Sequence, residues 1–115
     1  MLQAVVANGL VFVSGLLPIT PSGEKLVNKP FAEQATAVFL NLREILTAAG
    51  TDTDHLVSVR VYITDIANWA EFNRLYALFC GEHRPARAVV PVPVLHFGLL
   101  LELEATACAR DVLRI

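Results

Sequence analysis

An arginine and a glutamate stand where each could do chemistry on a small organic acid. Arg87 closes the segment Pro85-Ala86-Arg87 and precedes a run of alanine and valine, so it falls at the start of a predicted strand. Glu102 lies within the apolar segment Leu99–Ala105. A guanidinium can bind a carboxylate through two parallel hydrogen bonds, and desolvation can tune an acid in an apolar strand. The pair indicates a small-carboxylate site. The alternatives are a structural ion pair between the two residues or two side chains that face solvent.

The composition favours self-association over binding to nucleic acid. Apolar residues make up 55% of the 115 residues and charged residues only 17%, against about 25% in typical domains. One small core cannot bury so much apolar surface, so part of it is expected in a subunit interface. The net charge is −2 and the nine basic residues form no stripe, which argues against nucleic-acid binding. We expect one domain, residues 1–115, that forms an oligomer.

The chain shows no sign of export, membrane insertion or metal binding. No basic segment precedes the first apolar residues, and polar residues interrupt them, so we expect neither a signal peptide nor a membrane span and predict a cytoplasmic protein. Cys80 and Cys108 lie far apart in apolar patterns and are expected to be buried thiols. The three histidines lack the spacing of metal ligands.

The first half of the chain predicts a hairpin and a helix. Asn8-Gly9 separates two β-branched runs, Gln3–Val6 and Leu10–Ser14, and this dipeptide suits the positive φ angles of a type I′ turn. Pro18 to Gly23 is a predicted loop. Pro30 can open a helix, whose apolar residues recur at helical spacing until Gly50 ends it in the left-handed conformation.

The second half predicts a strand, a second helix and two further strands. The strand Leu56–Thr64 alternates, with Val57, Val59, Val61 and Ile63 on one face. Asp65 or Asn68 can cap the second helix, which Gly81 stops; its apolar stripe is Trp69, Phe72, Tyr76 and Phe79.

The last two predicted strands differ in what they can pair with. Ala88–Leu95 is extended, but Pro91 and Pro93 remove two N–H groups from the same edge, so that edge cannot pair. In Leu99–Ala109 the apolar and mixed positions alternate, with Glu102 and Glu104 on the mixed face. We read Glu104 as an interface residue.

This order of elements predicts an α+β domain of two layers, in which two helices cover one face of a mixed sheet. The other face is semi-polar, and the low overall charge favours packing of that face against other copies of the chain.

Six segments, in this order, resemble the reactive-intermediate deaminases, the RidA/YjgF-like proteins, over nearly the whole chain. They are Leu10–Gly15 followed by Pro18, Asn41–Gly50, Val61–Asp65, Phe72–Tyr76, Pro85–Arg87 and Glu102–Ala105. The resemblance implies a chorismate-mutase-like fold and a homotrimer whose sheets form a barrel, with ligand clefts between subunits. It implies hydrolysis of enamine or imine acids to 2-keto acids and ammonia without a cofactor.

The resemblance also implies roles for particular residues. Arg87 would hold the substrate carboxylate and Glu102 would position or activate water. Ser14, Gly15, Asn73 and the backbone near Val89 would contribute to the pocket.

The chain departs from the family pattern at several positions. Active members usually carry a tyrosine where this chain has Met1, and a cysteine where it has Val89. Leu95-His96-Phe97-Gly98 replaces a polar loop, and Pro91 and Pro93 are unusual. We expect His96 and Phe97 to line the acyl side of the pocket; otherwise they are loop surface.

Three functions fit these residues to different degrees. Imine hydrolysis requires a gripped carboxylate, an aimed water and a proton acceptor, which Arg87 and Glu102 can supply, with Ser14 and nearby amides stabilising developing charge. The alternative is a non-catalytic trimer that binds a small carboxylate as a sensor or chaperone-like module. RNA cleavage is disfavoured by the acidity of the chain. Ser14 is otherwise a strand-end hydroxyl, and Asn73 a helix-surface amide.

Overall fold

A computed structural model describes residues 3–109, which form a five-stranded sheet and two α-helices. The strands are β1 (Ala4–Ala7), β2 (Leu10–Leu16), β3 (Leu56–Ile63), β4 (Ala86–Pro91) and β5 (Leu101–Cys108). The helices are α1 (Phe31–Ala48) and α2 (Trp69–Cys80). The strand order is β1-β2-β5-β3-β4, and only the β3–β4 pair is parallel. The predicted α+β architecture is confirmed.

The core lies between the two helices and one face of the sheet. Leu101, Leu103, Ala105 and Ala107 of the central strand β5 are buried on that face, and the residues between them are half-buried on the other face. From α1 and α2 the core receives Val38, Leu42, Leu46 and Phe72, none of which is exposed. The predicted alternation along the last strand is therefore confirmed.

Both predicted glycine-dependent turns form. Asn8 and Gly9 have φ angles of 53° and 76°, as the type I′ hairpin between β1 and β2 requires. Gly50 follows α1 with a φ of 80°. Residues other than glycine and asparagine seldom adopt a positive φ angle, so these residues determine where the hairpin turns and where the helix ends.

Three sequence predictions about buried positions are wrong. The first concerns Cys108, which is only half-buried, whereas Cys80 is buried as expected. Val57 does not share the buried face of β3: it is 40% exposed, whereas Leu56 is fully buried. A register shift between Leu56 and Ser58 in the pairing with β5 explains the difference, because a bulge reverses the faces that follow it. Trp69 is also exposed, since it occupies the first position of α2, before that helix packs on the sheet.

The predicted cap of α2 belongs to a short 3₁₀ turn that precedes the helix. Asn68 immediately precedes the helix but makes no side-chain capping bond. Asp65 instead accepts a hydrogen bond from the Ala67 amide, at 2.9 Å, and so caps the short 3₁₀ turn Ile66–Asn68. The predicted cap therefore acts one turn earlier than the α-helix.

Strand β4 lies at the edge of the sheet and is shorter than predicted. It ends at Pro91 rather than Leu95, and a 3₁₀ turn follows at His96–Gly98. The Val92 amide still bonds to the Ile63 carbonyl, at 2.9 Å. Successive N–H groups of an extended segment point to opposite edges. Because the Val92 N–H points toward β3, positions 91 and 93 face the outer edge, where proline offers no N–H to a further strand.

Gln34 links α1 to the beginning of β5. Its side chain is fully buried. The amide nitrogen donates to the Lys29 carbonyl at 3.0 Å, and the amide oxygen accepts from the Leu100 amide at 2.9 Å. The Leu100 carbonyl in turn accepts from the Thr64 amide. Gln34 thus fixes the chain two residues before Glu102.

Replacing Gln34 with methionine should destabilise the fold, because the Leu100 amide and the Lys29 carbonyl would lose their partner. We expect a loss of about 1–3 kcal/mol for each group left unsatisfied. Urea unfolding measures it, with Thr47→Met, at an exposed position of the same helix, as the control. Equal unfolding midpoints for the two variants would show that Gln34 has no such role.

Candidate functional site

Arg87 lies against α2, on the helix-covered side of the sheet. It pairs with Val59 of β3, whose side chain is buried in the core. Its guanidinium donates to the side-chain oxygen of Asn73, and its Cζ lies 5.1 Å from the centroid of the Tyr76 ring. Asn73 and Tyr76 share a face of α2 because they are three residues apart. The structure thus brings Arg87 and Asn73 together, as expected, on an aromatic support that the sequence analysis had assigned only to the core.

Tyr76 combines a buried ring with a hydroxyl that lacks a partner. The residue is 5% exposed, and its ring packs 5.5 Å from that of Phe72, centroid to centroid. Its hydroxyl has no hydrogen-bond partner within residues 3–109. Burial raises the pKa of Tyr76 far above its ordinary value, the nearby Cys80 thiol raises it further, and Arg87 and Arg84 lower it. The Cys80 thiol influences the hydroxyl electrostatically, but their geometry falls short of a hydrogen bond.

A cleft of about 360 Å³ opens beside Arg87. Its lining residues are Asn73, Tyr76, Ala77, Arg84, Pro85 and Arg87. Arg84 donates to the carbonyls of Gly81 and His83. No acidic side chain is among these lining residues, so the cleft carries positive charge.

Glu102 lies on the opposite, open face of the sheet, packed against Gly15. A Cβ atom added to Gly15 would lie 2.2 Å from Oε2 and 2.9 Å from Cδ of Glu102. The pairing of β2 with β5 is irregular between Val13 and Leu16, and this irregularity contains Ser14 and Gly15. The missing side chain of Gly15 therefore makes the space that the Glu102 carboxylate occupies.

Ser14 and Gly15 also line a second cleft, of about 490 Å³, between β2 and α1. The Ser14 hydroxyl donates to the Gln3 carbonyl at 3.1 Å. Asn41 of α1 borders the cleft and donates to the Ile19 carbonyl at 2.8 Å. Gly15 thus borders both this cleft and the Glu102 carboxylate, and neither Ser14 nor Gly15 lines the cleft beside Arg87.

Within one chain, Arg87 and Glu102 do not meet. They lie on different faces of the sheet, with β3 between their strands. Arg87 is level with Val59 and Glu102 with Tyr62, an offset of about 10 Å along the strands and about 9.5 Å across them. This excludes the alternative of an ion pair between the two within one chain.

The remaining candidates are Val89, His96 and Phe97, and none of them lines the cleft beside Arg87. Val89 follows Arg87 on the same face and packs against the core. His96 and Phe97 form the 3₁₀ turn before β5 and are exposed. The Lys25 ammonium lies 4.6 Å from the centroid of the Phe97 ring. Met1, which stands where the family resemblance predicts an aromatic residue, lies outside the described residues.

The open face of the sheet joins polar and apolar groups. Glu104 accepts hydrogen bonds from Arg60, at 3.1 Å, and from Tyr62, at 2.8 Å. The bond to Glu104 raises the pKa of Tyr62. Val5 and Phe12, on neighbouring strands of this face, are 52% and 46% exposed. The exposed apolar side chains lie on the same face as polar groups that are already hydrogen-bonded to one another. Such a face is suited to contact another protein surface.

Comparison with known proteins places the chain in a family. Residues 2–109 match the family described as endoribonuclease L-PSP. The chain belongs to this family, the YjgF/RidA family. It is 39% identical over 109 residues to the mitochondrial protein MMF1 of Saccharomyces cerevisiae, covering 95% of this chain and 74% of MMF1. It is 34% identical over 105 residues to Reactive Intermediate Deaminase A of Arabidopsis thaliana, covering 91% of this chain and 56% of the relative.

A solved structure of the family has a bound amino acid. The crystal structure of E. coli TdcF with bound serine superimposes with a TM-score of 0.88 at 33% identity, covering 96% of this chain and 88% of TdcF. Among the residues described, no helix is long and apolar enough to cross a membrane. The prediction of a cytoplasmic location is not settled by the family, because MMF1 is mitochondrial.

Sequence reasoning missed Tyr76 and Arg84 as members of the Arg87 cleft. The signal for Tyr76 was its spacing of three residues from Asn73 on one helix. The signal for Arg84 was its position three residues before Arg87, across a proline that keeps the segment extended.

Tyr76 and Cys80 should make the fold sensitive to alkali. Burial is the main cause of the raised pKa of both groups, so the folded state disfavours their ionisation. Stability is fully present below their unfolded pKa values, about 8.5 for the thiol and about 10 for the phenol, and is lost as pH rises further. Tyr76→Phe should reduce the loss above about pH 10 and cost no stability at neutral pH, because it removes an unpartnered hydroxyl.

Urea midpoints measured between pH 7 and 11 check this expectation. Tyr62→Phe provides a contrast at pH 7: it removes the hydroxyl that donates to Glu104 and so should cost stability there, which Tyr76→Phe should not. Because the bond to Glu104 raises the pKa of Tyr62, this variant should also lose less stability in alkali. A wild-type midpoint that stays constant across this range, or a large loss for Tyr76→Phe at pH 7, would contradict it.

Proposed function

We propose that this protein hydrolyses reactive 2-imino acids and their enamine tautomers to 2-keto acids and ammonia. The observation that carries the proposal is the guanidinium of Arg87, held by neutral Asn73 and the ring of Tyr76 and joined to no acid within residues 3–109. Such a group is ready to bind a carboxylate. The Arabidopsis relative is named a reactive intermediate deaminase, and serine, bound by TdcF, carries the carboxylate and nitrogen of an amino acid.

The proposed reaction divides the work between Arg87 and Glu102. Arg87 binds the substrate carboxylate and so places the C=N carbon. Water adds to that carbon while Glu102 accepts its proton. Glu102 passes this proton to the nitrogen, which gives a carbinolamine. Glu102 then takes the hydroxyl proton and transfers it to the amine, so that the C–N bond breaks and ammonia leaves as the C=O bond of the keto acid forms. The C=N carbon is already electrophilic, so the step needs no cofactor.

The site is proposed to form between two copies of the chain, in a homotrimer. Arg87 and Glu102 lie on different faces in one chain. A second copy packed on the open face could place its own Glu102 near the Arg87 edge of the first. The exposed Val5 and Phe12 would be buried in that contact. The alternative, a trimer that binds small carboxylates without turning them over, shares this cleft and is separated from catalysis by the kinetics below.

Mixing two inactive variants tests the shared site. Arg87→Ala and Glu102→Gln should each abolish most activity. After denaturation together and refolding at equal amounts, random trimers should recover about a quarter of the wild-type activity, because an interface is intact when the Glu102→Gln chain supplies Arg87 and the Arg87→Ala chain supplies Glu102. Each variant refolded alone is the control. No recovery, with trimers shown by light scattering, would mean that each site lies within one chain.

Substitutions at Arg87 should separate carboxylate binding from turnover. Arg87→Lys keeps the charge but loses the fork geometry. We expect a cost of about 1.5–3 kcal/mol, or roughly tenfold to a hundredfold in kcat/KM, and a larger cost for Arg87→Ala. Glu102→Gln should lower kcat while binding of an unreactive 2-keto acid persists.

Kinetics on imino acids generated in situ, with calorimetric titration of the keto acid, provide the measurement. Arg74→Lys is the control, because Arg74 pairs with Glu71 on the same helix as Asn73. If Arg87→Ala binds the keto acid as well as wild type does, the assignment of Arg87 fails. If wild type binds keto acids but accelerates no imine hydrolysis, the binding-module alternative is correct.

Gly15→Ala should impair turnover with little effect on folding. The added methyl group meets the end of a flexible side chain, the Glu102 carboxylate, so that carboxylate moves rather than the backbone. We expect a lower kcat, and no further fall when Gly15→Ala is combined with Glu102→Gln, because both changes act on one group. Additive losses in the double variant would show that Gly15 acts independently of Glu102.

A further inference from the structure

The cleft beside Arg87 contains a second cation, Arg84, whose charge is not balanced. Its guanidinium bonds to two backbone carbonyls, and Arg87 bonds to a neutral amide. By contrast, Arg60 and Arg74 each form an ion pair with a glutamate. Within residues 3–109, neither Arg84 nor Arg87 has such a partner. Two like charges beside one small cleft repel each other and attract an anion.

Arg84 also keeps donors available. Its Nη1 makes both carbonyl bonds, which leaves Nε and Nη2 for a ligand, since an arginine has five N–H donors. Two residues lie between Arg84 and Arg87, so their Cα atoms are at most about 11 Å apart. The hydroxyl of Tyr76, in the same wall, has no partner among the described residues.

We propose that Arg84 makes this site selective for imino acids that carry a second acidic group, the imines of acidic amino acids. Arg87 binds the carboxylate next to the C=N carbon, and Arg84 binds the carboxylate at the other end of the substrate. A short dicarboxylate fits the 360 Å³ of the cleft. This proposal rests on the proposed function for its reaction, but the binding preference stands on the two cations alone.

The kinetic test compares imino acids made in situ from glutamate and from norvaline, which share a chain length. Wild type should prefer the dicarboxylate. Arg84→Met keeps the aliphatic stem and removes the charge, and it should lower kcat/KM for the dicarboxylate at least about tenfold. The value for the norvaline product should change less than about twofold. Arg74→Met, which removes a paired arginine from α2, is the control and should leave both values unchanged.

A binding test separates this inference from the proposed function. Calorimetry with unreactive 2-oxoglutarate and 2-oxopentanoate should show tighter binding of the former to wild type and no preference in Arg84→Met. Arg84→Lys should restore part of the preference, and its folding is checked alongside, because Arg84 bonds to the carbonyl that follows α2. Equal losses for both ligands in Arg84→Met, or no wild-type preference, would overturn the proposal. A preference that depends on Arg84 without any turnover would support it and reject the deaminase.

Discussion

The alternation of side chains along the central strand β5 is the constraint on which the rest of the structure depends. Successive residues of a strand point to opposite faces, so burying Leu101, Leu103 and Ala105 under the helices forces Glu102 and Glu104 onto the open face. Strand β4 is held in register with the same sheet, which turns Arg87 toward α2. A single chain therefore separates the Glu102 carboxylate from the Arg87 guanidinium. Any chemistry that uses both requires a second surface to meet the open face.

The residues around Arg87 hold its guanidinium in place without neutralising its charge. The ring of Tyr76 supports the guanidinium and Asn73 orients it, yet neither neutralises it. A carboxylate partner would hold the side chain more firmly but would compete with a ligand. Within residues 3–109 the buried hydroxyl of Tyr76 has no hydrogen-bond partner, and an unsatisfied buried group is rare enough in proteins to indicate a position where function outweighs stability.

The sequence was sufficient for those features that depend on local pattern. The Asn8-Gly9 turn, the helix end at Gly50 and the two faces of β5 follow from φ preferences and periodicity, and all three are confirmed. Val57 was assigned to the wrong face because a bulge depends on the partner strand, which periodicity does not reveal. The same limit applied to Tyr76: its helix stripe predicted burial correctly but not that β4 would place Arg87 over its ring. The family resemblance supplied the roles of Arg87 and Glu102, and their separation became visible only from the strand order.

Pro91, at the end of β4, and Pro93, just beyond it, have a consequence for contacts between copies of the chain. A single copy exposes both the open face of the sheet and the edge strand β4, and an unprotected edge would allow strand to add to strand without limit. Pro91 and Pro93 lack the N–H groups that such growth would use at this end of the edge. An edge without these donors favours contact through the open face over the addition of strand to strand.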